Sequence, residues 1–193
     1  MAMTDDLLPE GLADNLPAQS ALLTRAMHDA LQAMDAHGYD RVSPPLIEFE
    51  KSLGARMDGL QTRAMFRFVD PASLRTLALR SDITPQIGRI AATAMADEPR
   101  PLRLCYAGEV ARIAADQLDP VRQRLQIGAE LIGADSVNAA TEVLLTAIEA
   151  LEAVAAIATE WGSVCRARER SAAPDSGCPA PPAATVRPRL GPA

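Results

Sequence analysis

The chain has 193 residues, of which 48% are apolar and 23% charged, and its formal net charge is −6. This composition suits a globular domain with a buried core, and the acidic balance disfavours a nonspecific nucleic-acid binder, which needs a cationic surface. No run approaches the roughly 18 apolar residues of a membrane span, and no basic segment precedes an apolar stretch at the amino terminus, so we expect no membrane attachment and a cytoplasmic protein.

Charge and composition change near Trp161. Residues 1–160 carry 14 basic and 23 acidic side chains, whereas residues 161–193 carry 5 and 2 and hold 6 of the 15 prolines. The second segment lacks apolar periodicity, which predicts a disordered tail. Lysine occurs once against 18 arginines, which is typical of a GC-rich gene. We therefore expect a frameshifted or mis-joined end over residues 161–193, or alternatively a natural flexible linker.

The first elements in chain order are a helix and a hairpin. Residues 15–38 carry a helical apolar stripe with Pro17 near the start and Gly38 at the end, and residues 39–42 favour an extended strand. The pair Pro44-Pro45 cannot lie in a hydrogen-bonded central strand, so it belongs at a strand edge or chain crossing. Two β-rich runs, 65–69 and 74–80, flank good turn residues and predict a hairpin.

The second half of the chain predicts a helix, a second hairpin and a last helix. Thr84-Pro85 begins a helix that ends before Pro99, and two further β-type runs cover residues 102–110 and 122–132. Alternation in the second run places Gln126 and Glu130 on one face. A last helix extends from a cap at residue 136 to residue 158. The order helix, hairpin, helix, hairpin, helix predicts an α+β fold with an antiparallel sheet flanked by helices.

Polar side chains gather in these β-type segments, where a core face would not carry them. The set is Arg80, Asp82, Thr84, Arg112, Gln126 and Glu130. If the strands are neighbours, Asp82 or Glu130 can accept from an ammonium group while Arg112 binds a carboxylate, so the set suits a zwitterion. Spacing alone favours the alternative, a solvent-exposed sheet face with mutually satisfied ion pairs.

Metal and cofactor sites are not indicated. The three cysteines are widely spaced without a CxxC, and His28 and His37 have no carboxylate at ligand spacing. No glycine-rich phosphate loop and no nucleophile elbow is present. We expect no metal, no cofactor and no disulfide framework.

Three motifs carry a family resemblance over about residues 5–160. Residues 38–48, GYDRVSPPLIE, resemble the first motif of class II aminoacyl-tRNA synthetases in its histidyl form, with Pro45 at the dimer-interface proline. Residues 65–70 and 79–84 look like the histidyl hairpin and its substrate loop. The interval from Arg112 to Glu130 matches the second motif without a gap. The resemblance implies a class II synthetase-like catalytic-domain fold, incomplete at its carboxyl end because the later motifs would lie beyond this chain.

Two departures point to a non-catalytic branch. The second-motif arginine of the synthetase is followed two residues later by a glutamate that engages ATP, whereas Arg112 is followed by Ile113 and Ala114, and the loop over residues 115–121 lacks the synthetase's basic residues. The string RSDITPQIGRIAA, residues 80–92, is similar to a signature of the regulatory subunit of ATP phosphoribosyltransferase. The chain is identified as a member of that family.

This resemblance implies a regulatory subunit with no catalytic residues of its own. Such subunits assemble with a short catalytic subunit for the first step of histidine biosynthesis, which histidine inhibits, and we expect a homodimer within a hetero-oligomer. The positions implied to bind histidine are Asp82, Thr84, Arg112, Gln126 and Glu130. The alternatives are histidyl-tRNA synthetase or a fragment of it, and a stand-alone amino-acid-binding module.

Overall fold

The computed structural model describes residues 8–55, 57, 62–113 and 121–171, with only the backbone described for 158–171. The elements in chain order are α1 (Pro17–Ala36), β1 (Asp40–Arg41), β2 (Ile47–Phe49), α2 (Glu50–Gly54), β3 (Arg67–Val69), β4 (Thr76–Leu79), α3 (Thr84–Ala92), β5 (Leu102–Ala111), β6 (Gln123–Ile132) and α4 (Val137–Ser171). The strands form two three-stranded sheets, ordered β1-β5-β6 and β2-β4-β3. No helix within the described ranges is long and apolar enough to cross a membrane.

The first compact unit contains residues 8–14, 43–97 and 108–126. Its sheet is antiparallel, with Ile47 opposite Leu79 and Arg67 opposite Ala78, so the predicted hairpin is confirmed. The Asp70 carboxylate accepts the backbone N–H groups of Ala72 and Ser73 in the turn between β3 and β4. This Asx-type turn explains why the two short β runs reverse at that point. A small core of Leu53, Met65 and Ala78 packs beneath the sheet.

Arg80 packs inside the first unit directly after β4. Its side chain is 7% exposed, and the guanidinium donates to the Glu109 carbonyl (2.7 Å) and the Pro44 carbonyl (2.8 Å). Gly108 leaves the space for this group, because a Cβ atom added there would overlap the guanidinium. The glycine is therefore required by a neighbouring side chain rather than by its own backbone angles.

The second unit contains residues 15–42, 98–107 and 127–171. Helix α1 packs against α4 over a core that includes Met34, Tyr39, Cys105 and Ala150. An ion pair joins β5 to α4, since Arg103 donates from Nε and Nη2 to the two carboxylate oxygens of Glu142 at 2.6 and 2.9 Å. This two-point geometry lowers the pKa of Glu142.

The predicted α+β fold is confirmed, with two differences in detail. Strand β1 pairs parallel with β5, Asp40 opposite Leu104, so this sheet is mixed rather than antiparallel. The pairing joins segments about 60 residues apart, which local patterns cannot reveal. Helix α4 continues to Ser171 and includes the first eleven residues of the predicted tail. The rest of the tail lies outside the described residues.

Gly108→Ala tests the packing of Arg80. We expect the free energy of unfolding to fall by about 2 kcal/mol or more, because the added methyl group displaces a buried guanidinium from its carbonyl partners. Gly88→Ala is the matched control: Gly88 lies inside α3 with no heavy atom within 4 Å of the position that an alanine Cβ would occupy, so the gain in helix propensity should stabilise by about 0.5–1 kcal/mol. Urea denaturation measures both, and equal effects would contradict the packing argument.

The ion pair in the second unit predicts a pH dependence. The folded-state pKa of Glu142 lies below its unfolded value of about 4.5, so the stabilisation is present above that pH and disappears as the pH falls through the folded pKa. We expect Arg103→Met to return the pKa of Glu142 toward its ordinary value in a carboxyl-carbon NMR titration. An unchanged pKa in this variant would show that the contact with Arg103 does not cause the depression.

Candidate functional site

Asp82 occupies a buried position between β4 and α3 in the first unit. Its side chain is 8% exposed, and Oδ1 accepts hydrogen bonds from the backbone N–H of Thr84 (3.0 Å) and from Nε2 of Gln126 (2.9 Å). An aspartate two residues before the first residue of a helix is well placed to accept an unpaired N–H of the first turn. The carboxylate is thus held at the start of α3.

Gln126 links strand β6 to the same turn. While Nε2 donates to Asp82, Oε1 accepts the backbone N–H of Ile83 at 2.9 Å. Both ends of the amide are therefore used, which fixes its orientation and that of the carboxylate beside it. The structure brings Asp82, Thr84 and Gln126 together as the sequence predicts.

Arg112 lies one residue beyond the end of β5, also in the first unit, and is half-buried. Its backbone N–H donates to the Arg122 carbonyl (2.8 Å), and its own carbonyl accepts from Nε of Arg122 (3.2 Å). The backbone of this candidate carboxylate-binding residue is thus held at both polar atoms. Ala114 and residues 115–120, on which the sequence comparison with the synthetase partly depends, lie outside the described residues.

Glu130 lies in the second unit, where it accepts a hydrogen bond from the Tyr106 hydroxyl at 3.4 Å. The Tyr106 ring passes over Gly128, since a Cβ atom there would lie 2.5 Å from the hydroxyl oxygen. Gly128 of β6 therefore leaves the space that the Tyr106 ring occupies. A site that joins Glu130 to the other four residues stays a prediction.

Arg80 belongs to the polar cluster in sequence but has a different role in the structure. Its guanidinium is engaged by the carbonyls of Pro44 and Glu109, and burial lowers its pKa. Sequence reasoning grouped Arg80 with residues able to face a ligand. Side chains two residues apart on a strand share a face, and Ala78 of β4 lies in the core. The same alternation therefore indicates that the Arg80 side chain points inward.

Sequence reasoning missed a second polar group, on the segment that carries Pro45. The Glu48 carboxylate is bound by Arg89 through Nε and Nη2, and Gln86 donates from Nε2 to both the Pro45 carbonyl (2.8 Å) and Glu48 (2.9 Å). The Pro45 side chain itself is exposed, and so are Leu46 and Ile47. Helix α3 therefore fixes the backbone of this segment while its apolar side chains face solvent.

The electrostatics of Asp82 define what the site can bind. Across the part of the chain that the structure describes, this carboxylate makes no ion pair, and its donors are an amide group and a backbone N–H. A buried carboxylate is costly unless it is paired, and it retains acceptor capacity beyond its two bonds. The position suits an ammonium or imidazolium group. No group of three or more metal-ligating side chains occurs among the described residues.

Comparisons with known proteins show which proteins the chain is similar to. A family model described as histidyl-tRNA synthetase matches residues 11–160. The chain is 49% identical over 146 residues to the ATP phosphoribosyltransferase regulatory subunit of Paramagnetospirillum magneticum, covering 76% of this chain and 38% of that protein. It is 44% identical over 186 residues to the protein of the same name from Rhodospirillum centenum, covering 89% and 48%.

A solved structure gives the same result. The ATP phosphoribosyltransferase regulatory subunit/histidyl-tRNA synthetase from Bacillus halodurans superposes with a TM-score of 0.69 at 30% identity, over 80% of this chain and 39% of that one. The resemblance predicted from the motifs is therefore confirmed. The chain spans 38% and 48% of the length of the two curated relatives described above.

Proposed function

The chain belongs to the histidyl-tRNA synthetase family, and from this we propose that it acts as a non-catalytic regulatory subunit of ATP phosphoribosyltransferase that senses histidine. Its partner would be the short catalytic subunit of that enzyme. The relatives that match it at 44–49% identity carry this regulatory name, which supports the assignment. Ala114 in place of the ATP-binding glutamate of the synthetase favours regulation over aminoacylation.

The observation that carries the proposal is the buried carboxylate of Asp82. It is held in a fixed orientation by Gln126 and the Thr84 N–H, and no cation of the described residues neutralises it. The Asp82 carboxylate keeps acceptor capacity beyond its two hydrogen bonds, and the cationic group of an amino acid would complement its charge.

Histidine would bind through complementary charges. Its ammonium group would face Asp82, and its carboxylate would form a two-point contact with Arg112. Gln126 and Thr84 would hold the carboxylate of Asp82 in place. No bond to histidine forms or breaks. Regulation then requires only that histidine bind one state of the complex more tightly than the other, and a coupling free energy on the order of 1–3 kcal/mol is sufficient.

The segment around Pro45 would form the homodimer interface within the hetero-oligomer. Leu46 and Ile47 are 45% and 42% exposed and follow an exposed proline, and their backbone is fixed by Arg80 and Gln86. An apolar surface on a rigid backbone loses little conformational entropy on association. A two-fold interface would place the same patch against itself.

Asp82→Asn tests histidine binding. The substitution keeps the size and the acceptor oxygen but removes the charge, so we expect the Kd for histidine to rise by about tenfold to a hundredfold, measured by titration calorimetry. In a mixture with the short catalytic subunit, inhibition should then need about tenfold to a hundredfold more histidine than with the wild-type chain.

Glu109→Gln is the matched control for Asp82→Asn. Glu109 is an exposed carboxylate on β5 in the same unit, and its side chain accepts only from Gln123 among the described contacts, so the same change of charge should leave the Kd unchanged. A wild-type chain that gives no heat with histidine would refute the sensing role. Equal losses in the two variants would show that net charge rather than Asp82 matters.

Leu46→Glu tests the dimer. A charge in the centre of the apolar segment should shift the chain toward the monomer in light scattering coupled to size-exclusion chromatography. Leu74→Glu provides the comparison, because Leu74 is 79% exposed in the β3–β4 turn and the same chemical change then lies outside the segment. Dissociation by both variants, or by neither, would contradict an interface centred on Pro45.

A further inference from the structure

We propose that Arg122 is a positioning residue, which aims the guanidinium of Arg112 at the carboxylate of the bound amino acid. The inference rests on the proposed histidine site and extends it to a residue outside that site. Arg122 comes directly before β6 and, by its own contacts, fixes the chain on which Arg112 sits.

The first observation is that Arg122 makes two hydrogen bonds with the backbone of Arg112. The Arg122 carbonyl accepts the N–H of Arg112 at 2.8 Å, and the Arg122 side chain donates from Nε to the Arg112 carbonyl at 3.2 Å. The first contact is an ordinary backbone pair that any residue could make. The second comes from the guanidinium and can be removed by substitution. Together they restrain both peptide planes that flank Arg112.

The second observation is that the Arg122 side chain is itself fixed from other directions. Its Nη1 donates to the Glu10 carbonyl at 3.2 Å, and its guanidinium lies 4.9 Å from the centroid of the Phe66 ring. The backbone N–H of Arg122 also donates to the Gly11 carbonyl at 2.8 Å. The amino-terminal segment, the hairpin and the end of β5 therefore meet at one planar group, which only arginine can supply with this many donors.

These contacts matter because Arg112 lies just outside the regular ladder of β5. Residues at strand ends have few restraints, and a two-point contact with a carboxylate demands a defined orientation of the guanidinium. Displacements of about 1 Å in a supporting residue are enough to weaken such a contact strongly. Because its Nε and Nη1 atoms donate to the carbonyls of Arg112 and Glu10, Arg122 supports the position of Arg112.

The test compares histidine with histidinol, which has a hydroxymethyl group in place of the carboxylate and keeps the ammonium group and the imidazole. We expect the full chain to bind histidine about tenfold more tightly than histidinol, because only histidine engages Arg112. In Arg122→Met, which keeps the aliphatic stem but removes the donors, this ratio should fall toward one while the Kd for histidinol changes less than twofold. Titration calorimetry gives both constants.

Arg122→Lys separates position from charge. Lysine keeps the positive charge but lacks the planar guanidinium group. This variant should therefore lose the preference for histidine over histidinol, as Arg122→Met does. It also decides the test if Arg122→Met fails to fold. Arg75→Met is the matched control: Arg75 stacks on Phe49 at 3.4 Å in the same unit, and its loss should leave the ratio at the wild-type value.

The possible outcomes are distinct. A merely structural role for Arg122 would weaken both ligands equally and leave the ratio unchanged, which overturns the inference alone. Retention of the preference in Arg122→Lys would also overturn it, since charge would then be sufficient. A wild-type chain that binds neither ligand would refute the proposed function itself. Loss of the ratio in both Arg122 variants, with Arg75→Met unaffected, supports the positioning role.

Discussion

The first unit depends on the burial of one charged side chain, Arg80. Its guanidinium donates to carbonyls of Pro44 and Glu109, its backbone N–H donates to the Leu46 carbonyl, and its own carbonyl accepts from Ala111. A buried guanidinium is tolerated only where its donors are satisfied. These contacts tie the end of β4 to the proline segment on one side and to β5 on the other, and Gly108 is the residue that makes the approach possible.

This arrangement connects the Asp82 carboxylate and the exposed apolar segment at Pro45 to the same part of the backbone. Arg80 donates to the Pro44 carbonyl, and Gln86 donates to the Pro45 carbonyl. Asp82 lies between Arg80 and Gln86 in the chain. The route from the Asp82 carboxylate to the exposed apolar segment is therefore a few covalent and hydrogen bonds. Under the proposed function, ligand binding at Asp82 and association at Pro45 would involve the same short stretch of backbone, and they would be coupled if the ligand bound one conformation of it more tightly.

Local sequence signals predicted what depends on local chemistry. The hairpin follows from β-rich runs around Asp70, and the grouping of Asp82 with Gln126 follows from a turn residue before a helix and from strand alternation. The parallel pairing of β1 with β5 joins distant segments and leaves no periodic trace. The inward direction of Arg80 agrees with the alternation of β4, but a charged residue next to a polar turn looks exposed until its carbonyl partners from residues 44 and 109 are known.

Under the proposed function, the environment of Asp82 suits a receptor. Its donors are an amide group and a backbone N–H, so a cationic ligand would meet a carboxylate with unused acceptor capacity. Ligand that binds only the folded state stabilises it by about 2.7 kcal/mol at a concentration a hundred times its Kd. Under the proposed function no bond of the ligand changes, so this stabilisation would act on a conformational equilibrium, which is how a sensor would transmit the concentration of its ligand.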